Sequence, residues 1–334
     1  MSLSRIVFVG AGAIGTSLGN ALVKNPNLDV ILVSIEEEVV VSINEKHINQ
    51  KYFPGIVLNH RLKATLSTEP VRSAEFIFMA IPSIETVRYL KEHKEIIPPQ
   101  AVIVNLAKGF GEHNCTIIKC LQEFLQNQVC TMKGPTFARD IINNQPAGFT
   151  VGSQNPGLFP RFGRLFKNTN IYLDYSTDIQ GVEILSILKN IYAIVAGITD
   201  ASFDAPNLRS LVLTKAFKEM RNILLEFGSD EKTMFKYCGF GDFTLTALND
   251  LSRNRTLGLL IGKGFFTREM SDRVVLEGKI AVNVLVEVMA SRNLGDHFPI
   301  LHELHKVFNK AYDISQFVLR IISFPGDEDY QIND

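Results

Sequence analysis

Hydrophobic and polar positions along the chain fall into two regimes. Before residue 178, short β-branched and aromatic runs at 5–9, 29–34, 62–66, 75–81, 101–105 and 129–133 alternate with segments of helical spacing at 13–25, 36–46, 84–94, 115–127 and 156–166. Further strand-like runs lie at 147–152 and 170–174. Alternation of this kind predicts an α/β domain, a mostly parallel, doubly wound sheet of Rossmann type covered by helices on both faces. From about residue 178 every periodic segment is helical, at 178–199, 207–227, 242–249, 252–262, 274–292, 299–310 and 313–322. The expected organisation is therefore an α/β domain over 1–177 and an all-helical domain over 178–334. There is no internal repeat, and the acidic tail "GDEDYQIND" is expected to fray.

One helical segment breaks its own pattern. In "ILSILKNIYAIVAGIT" (184–199), Ile184, Leu188, Ile191 and Val195 line one face and Ile187, Ile194 and Ile198 another, so the helix is apolar nearly all round and should be buried. Lys189 and Asn190 interrupt it, and an unpaired buried ammonium costs several kcal/mol. Either Lys189 reaches a surface or pairs structurally with a carboxylate, or it is kept in a cleft because its proton is used.

The first strand runs directly into "VFVGAGAIGTSLGNAL", which places Gly10, Gly12 and Gly15 as G-x-G-x-x-G between strand and helix. The first glycine permits the tight turn, the second lets the backbone approach a pyrophosphate, and the third lets helix and strand pack closely. The helix start at Ala13 and Ile14 then offers free N–H groups and a partial positive charge to the anion. A nicotinamide dinucleotide is the expected cofactor. The second strand ends "LVSIEEE", so Ser34 and Ile35 occupy the discriminating positions, with Glu36 just beyond. No arginine or lysine stands there and the acid triplet would repel an added phosphate, which favours NAD and leaves NADP as the other possibility.

At 334 residues, 46% hydrophobic and 21% charged, the chain can build two ordinary cores. A net charge of −1 gives no general attraction to nucleic acid or to an anionic membrane. Apolar stretches are broken by Lys, Asp or Glu before ~18 residues, so no membrane-spanning helix is expected. "MSLSRIVFVG" enters a strand without a signal peptide, and Cys115, Cys120, Cys130 and Cys238 form no C-x-x-C pair. A reduced, cytoplasmic compartment fits. Asn114-Cys115-Thr116 is taken as a chance match to a glycosylation acceptor. His297, His302 and His305 lack the carboxylate or cysteine that would complete a site, so no metal is expected.

Beyond the glycine turn, several stretches occur in the order of a known family. "INEKHINQKYFPGIVL" (43–58), "LAKGFGE" (106–112), "GPTFARDI" (134–141), "GVEILSILKNIYAIVAGITD" (181–200), "GFGDFTLTALNDLSRNRTLGLLIGKG" (239–264) and "VLEG" (275–278) resemble the motifs of the NAD(P)-dependent glycerol-3-phosphate dehydrogenases. The resemblance implies reversible conversion of sn-glycerol 3-phosphate and dihydroxyacetone phosphate, with a hydride moving between substrate C2 and the nicotinamide. Such chemistry needs a proton donor at the ketone oxygen in one direction and a base in the other.

The resemblance makes Lys189 the general acid/base, with Asn190, Asp242 and Thr246 in the catalytic set and Asp242 expected beside Lys189. Lys108, at a strand end where open α/β sheets bind ligands, is implied to polarise the substrate oxygen or steady the cofactor. Ser252, Arg253 and Asn254 would hold the substrate phosphate, with Arg253 also reaching the cofactor. Gly134 and Thr136 would contact substrate, and Ala138, Val275 and Glu277 would border the cofactor. The site is expected in the cleft between the domains, with a hinge near 174–181 and a homodimer formed through the helical domain. A related keto-acid or hydroxy-acid reductase and a non-catalytic dinucleotide sensor are the alternatives. The chain departs from the family at "ASFDAPN" (201–207), where a glycine-rich loop is usual. It also departs at Lys133, a small residue in the family, Lys215, usually arginine, and Ile84, often histidine.

Overall fold

The computed structural model describes residues 3–265, 273–295 and 297–324, with the side chains of 273–277 outside the description. The acidic tail therefore lies outside the described residues. The chain forms two compact units, residues 1–183 with 236–238, and residues 184–235 with 239–334.

The first unit is built on eight strands, β1 (Ser4–Val9), β2 (Leu28–Val33), β3 (Lys63–Thr65), β4 (Phe76–Met79), β5 (Val102–Asn105), β6 (Gln128–Lys133), β7 (Ala147–Gly152) and β8 (Ile171–Ser176). Their order is β3-β2-β1-β4-β5-β6-β7-β8, every neighbouring pair parallel except β6 and β7. Both faces of this sheet are covered, which is why β1 reads as an unbroken apolar run rather than an alternation. Ile6 and Phe8 point into one core with Phe78 and Phe162; Val7 and Val9 point into the other with Ile77, Leu90 and Ile103. Phe8 and Phe78 stack with ring centres 4.7 Å apart.

Helices α1 (Ala13–Leu22), α2 (Glu37–Lys46), α3 (Ser83–His93), α4 (Ile117–Gln122), α5 (Ala138–Ile142) and α6 (Phe159–Leu165) fill the connections. α4 starts at Ile117 rather than 115 because Thr116 caps it, its hydroxyl accepting from the Lys119 amide, and it ends at Gln122, short of the expected 127. α5 is too short to show a period, so the pattern predicts no helix there.

The second unit contains α7 from Ile184 onward (whole helix Ile179–Ser202), α8 (Pro206–Glu226), α9 (Asp242–Leu248), α10 (Arg253–Gly262), α11 (Arg273–Ser291), α12 (Pro299–Asn309) and α13 (Phe317–Ser323). α7 corrects one expectation, since by length and composition it could cross a membrane. The run from 184 to 199 carries a single charge, Lys189, too few to break it. Inside the protein 94% of the qualifying stretch is buried, so its apolar surface is core. Glu219 on α8 accepts from Tyr192 Oη on α7 at 2.7 Å and from the Ile300 and Leu301 amides at 2.9 and 2.8 Å, capping the start of α12.

Candidate active site

In the first unit the glycine turn has the geometry that its spacing predicts. Gly10 adopts φ +112°, and a Cβ there would lie 2.5 Å from the Ala80 carbonyl oxygen. A Cβ on Gly15 would lie 2.1 Å from the Gly10 oxygen, so the third glycine brings helix onto strand. Gly12 differs, because the nearest atoms to its Cβ position belong to the Tyr52 ring at 4.0 Å. That side is open for a ligand, and Gly12 caps α1 with no side-chain acceptor for the first N–H groups. This cradle fits a pyrophosphate. Ala13 and Ile14 begin α1, and Ala138 begins α5, which packs against α1.

Asn49 supports the turn and was not singled out from the sequence. Fully buried, it donates through Nδ2 to the Ala11 carbonyl at 2.9 Å and to Thr16 Oγ1 at 2.8 Å. Its signal was present in "INEKHINQKYFPG", whose long-range target only the fold reveals.

At the end of β2, Ser34 is buried and its Oγ accepts from the Glu36 amide at 3.0 Å, while Ile35 is 99% exposed. The sequence places no base here, and the fold does. Lys51, from the segment after α2, binds the Glu36 carboxylate, and Tyr52 Oη donates to it at 3.0 Å. Lys51 therefore holds the Glu36 carboxyl below its ordinary range.

At the ends of β5 and β6, Lys108 Nζ donates to the Gly134 carbonyl at 3.0 Å, and Thr136 Oγ1 donates to the same oxygen at 3.2 Å. The structure thus brings together Lys108, Gly134 and Thr136. Lys133, the departure noted above, is fully buried beside them. It pairs with Glu183 at 3.3 Å and donates to the carbonyls of Asn105 (3.2 Å) and Ala107. Glu183 also accepts from Asn105 Nδ2 (2.6 Å), Thr131 Oγ1 (2.8 Å) and the Ile118 amide (3.1 Å), so the buried charges are well surrounded.

In the second unit Lys189 is 7% exposed, and it does not reach outward. Its Nζ lies 3.1 Å from Asp242 Oδ1 and donates to Thr246 Oγ1 at 2.9 Å. Thr246 Oγ1 in turn donates to the Asp242 carbonyl at 2.6 Å, one turn back on α9. Lys189, Asp242 and Thr246 thus form one cluster between α7 and α9. Asn190 is half-buried and donates to the Ser186 carbonyl at 3.4 Å on its own helix, apart from that cluster. The order of the chain hides the approach to α9, a π-turn over Tyr237–Gly241.

Ser252 is the N-cap of α10, its Oγ accepting from the Arg255 amide. Arg253 is exposed and Asn254 half-buried at the start of the same helix, so hydroxyl, guanidinium and amide gather at an N-terminus suited to a phosphate. The side chains of Val275 and Glu277 lie outside the described residues. Among the departures, Lys215 Nζ donates to the Phe324 carbonyl at 2.7 Å, and Ile84 is 73% exposed. The altered loop is short, since α7 continues to Ser202 and Pro206 opens α8, where its missing N–H costs nothing.

Comparison with known proteins covers nearly the whole chain. Residues 5–158 match the family model for the N-terminus of NAD-dependent glycerol-3-phosphate dehydrogenase, and residues 178–319 match the model for its C-terminus. A glycerol-3-phosphate dehydrogenase [NAD(P)+] from Leptospira biflexa is 31% identical over 96% of this chain and 97% of its own. That of Methanothermobacter thermautotrophicus is 32% identical over 94% and 96%. Among solved structures, a glycerol-3-phosphate dehydrogenase from Coxiella burnetii superposes with TM-score 0.88 at 23% identity, covering 96% of this chain and 99% of that one. A ketopantoate reductase from Ralstonia eutropha shares the fold at TM-score 0.60 and 12% identity, over 91% and 98%.

Proposed function

Because this chain belongs to the NAD-dependent glycerol-3-phosphate dehydrogenase family, we propose that it interconverts sn-glycerol 3-phosphate and dihydroxyacetone phosphate with NAD or NADP. The observation that carries the chemistry is the buried cluster of Lys189, Asp242 and Thr246. A bound nicotinamide supplies or accepts the hydride at C2.

In the reductive direction the Lys189 ammonium delivers a proton to the C2 oxygen, and in the oxidative direction its amine removes that proton. Asp242 supplies the countercharge that makes a buried ammonium tolerable, and the Thr246 oxygen fixes its direction. Ser252, Arg253 and Asn254 hold the phosphate dianion, while Lys108 steadies the substrate oxygen near Gly134 and Thr136. Gly10, Gly12 and Gly15, with the start of α1, receive the pyrophosphate. The Glu36 carboxylate favours NAD, while Lys51, paired with it, is the base that NADP would call on. Family models that cover both halves of the chain disfavour a keto-acid reductase or a sensor.

The test is reduction of dihydroxyacetone phosphate with NADH and NADPH in parallel, repeated on Lys189→Ala. Turnover is expected in the wild type, lower by at least ~10²-fold in the variant. Tight cofactor binding without turnover of either pair would overturn the enzymatic assignment. A homodimer formed through the helical unit is part of the same proposal, supported by exposed Phe235, Phe240 and Leu251. Sedimentation should give twice the 37.3 kDa chain mass, and a monomer at micromolar concentration would exclude it. Cys115, Cys120, Cys130 and Cys238 form no disulfide among the described residues, which supports a reduced, cytoplasmic setting.

A further inference from the structure

Arg255 lies just past the three residues assigned to the phosphate, yet it does not join them at the surface. It is 8% exposed and is held from several directions. Its Nε donates to Asp250 Oδ1 at 3.0 Å in the turn before α10. Its Nη1 donates to the Asp200 carboxylate near the end of α7 and to the Ala247 carbonyl on α9 at 3.2 Å. Its own amide donates to Ser252 Oγ at 3.3 Å. One guanidinium therefore ties the start of α10 to the helix that carries Lys189 and to the helix that carries Asp242 and Thr246.

The backbone packing points the same way. A Cβ on Gly197 of α7 would lie 2.2 Å from the Arg255 carbonyl oxygen, and one on Gly258 of α10 would lie 2.1 Å from the Ile194 oxygen. The two helices cross with their main chains in contact, which leaves α10 little freedom to slide along α7. Arg255 then fixes the remaining freedom, the tilt of the turn at its N-terminus.

We infer that Arg255 is a positioning residue, setting the phosphate-binding turn Ser252–Asn254 at a fixed span from the Lys189–Asp242–Thr246 cluster. This rests on the function proposed above and adds to it a source of selectivity. Only a ketone whose phosphate stands at that span from the reacting carbon gains from both sites at once. Lysine at 255 could not hold the Asp250, Asp200 and Ala247 oxygens together, because it lacks the planar fork. Asp200 would not be left bare, since Arg209 also pairs with it. Asp250 is 83% exposed, so its loss removes one anchor without stranding a buried charge.

The experiment compares wild type, Arg255→Lys and Asp250→Ala for kcat/KM on dihydroxyacetone phosphate and on unphosphorylated dihydroxyacetone. KM for NADH, the unfolding midpoint and calorimetric binding of inorganic phosphate are recorded on the same preparations. Arg255→Lys should lower the phosphorylated-to-unphosphorylated ratio by at least about tenfold, and Asp250→Ala by less in the same direction, with KM for NADH unchanged. Inorganic phosphate should bind more weakly in both variants. The inference is overturned if the ratio stays within about twofold of wild type, or if both ketones lose equally in step with the unfolding midpoint. Should the wild type reduce neither ketone, the function proposed above fails, and phosphate titration still decides. Weaker binding in Arg255→Lys supports the positioning role; equal binding, or none in the wild type, overturns it.

Discussion

Lys189 and Lys133 pose one physical problem in two places. Each ammonium is buried, and each is compensated by a carboxylate and by oxygen acceptors, Asp242 and Thr246 for one, Glu183 with the Asn105 and Ala107 carbonyls for the other. Removing one partner of such a pair costs about 3–5 kcal/mol. Gly12 poses the opposite problem, an open space where the other two turn glycines are crowded. A methyl group there meets no protein atom closer than 4.0 Å, so Gly12→Ala should fold with an unchanged melting point. It should nevertheless weaken NADH binding by at least about tenfold, because the methyl occupies the ligand's path. Unchanged NADH affinity by fluorescence titration would remove the turn from the cofactor site. Lys189 could be noticed in the sequence because it interrupts an apolar run. The partner of Lys133 could not, since Glu183 lies 50 residues further on, in the first turns of α7, and only the fold brings it against β6.

At the scale of elements, Glu219 shows how the helical unit is joined. Its carboxylate links α7, through Tyr192, to the start of α12. Burial pushes its pKa up to about 7, against the pull of Tyr192 and the two amides. The folded value thus exceeds the ordinary 4.5, and the native state holds the extra proton between the two. Stability from this group is present at low pH and is lost as pH rises from about 4.5 to about 7, by roughly 3 kcal/mol. Glu219→Gln should flatten that slope in urea unfolding followed across this range; an identical slope in the variant would assign it to another group. Strands were legible because a doubly covered sheet demands unbroken apolar runs, and helices because α7 to α13 keep a period of about 3.6. What escaped were short pieces without a period, α5 and the π-turn over Tyr237–Gly241. Lys51 escaped for another reason: the segment after α2 folds back onto the end of β2, so a base distant in sequence meets Glu36.

For the molecule as a whole, the division of labour follows the two units. The first carries the glycine turn and the Lys108–Gly134–Thr136 group; the second carries the Lys189–Asp242–Thr246 cluster and the Ser252–Asn254 turn, proposed here for proton transfer and for the substrate phosphate. A dehydrogenase needs both sets, and the family match spans both. The most direct test is to follow the hydride itself. Dihydroxyacetone phosphate is reduced by the wild-type protein with nicotinamide cofactor carrying deuterium at the transferable C4 position, and the product is read by NMR. The function proposed here predicts sn-glycerol 3-phosphate with deuterium at C2. Product with only protium at C2, or no glycerol 3-phosphate with either NADH or NADPH, would contradict it.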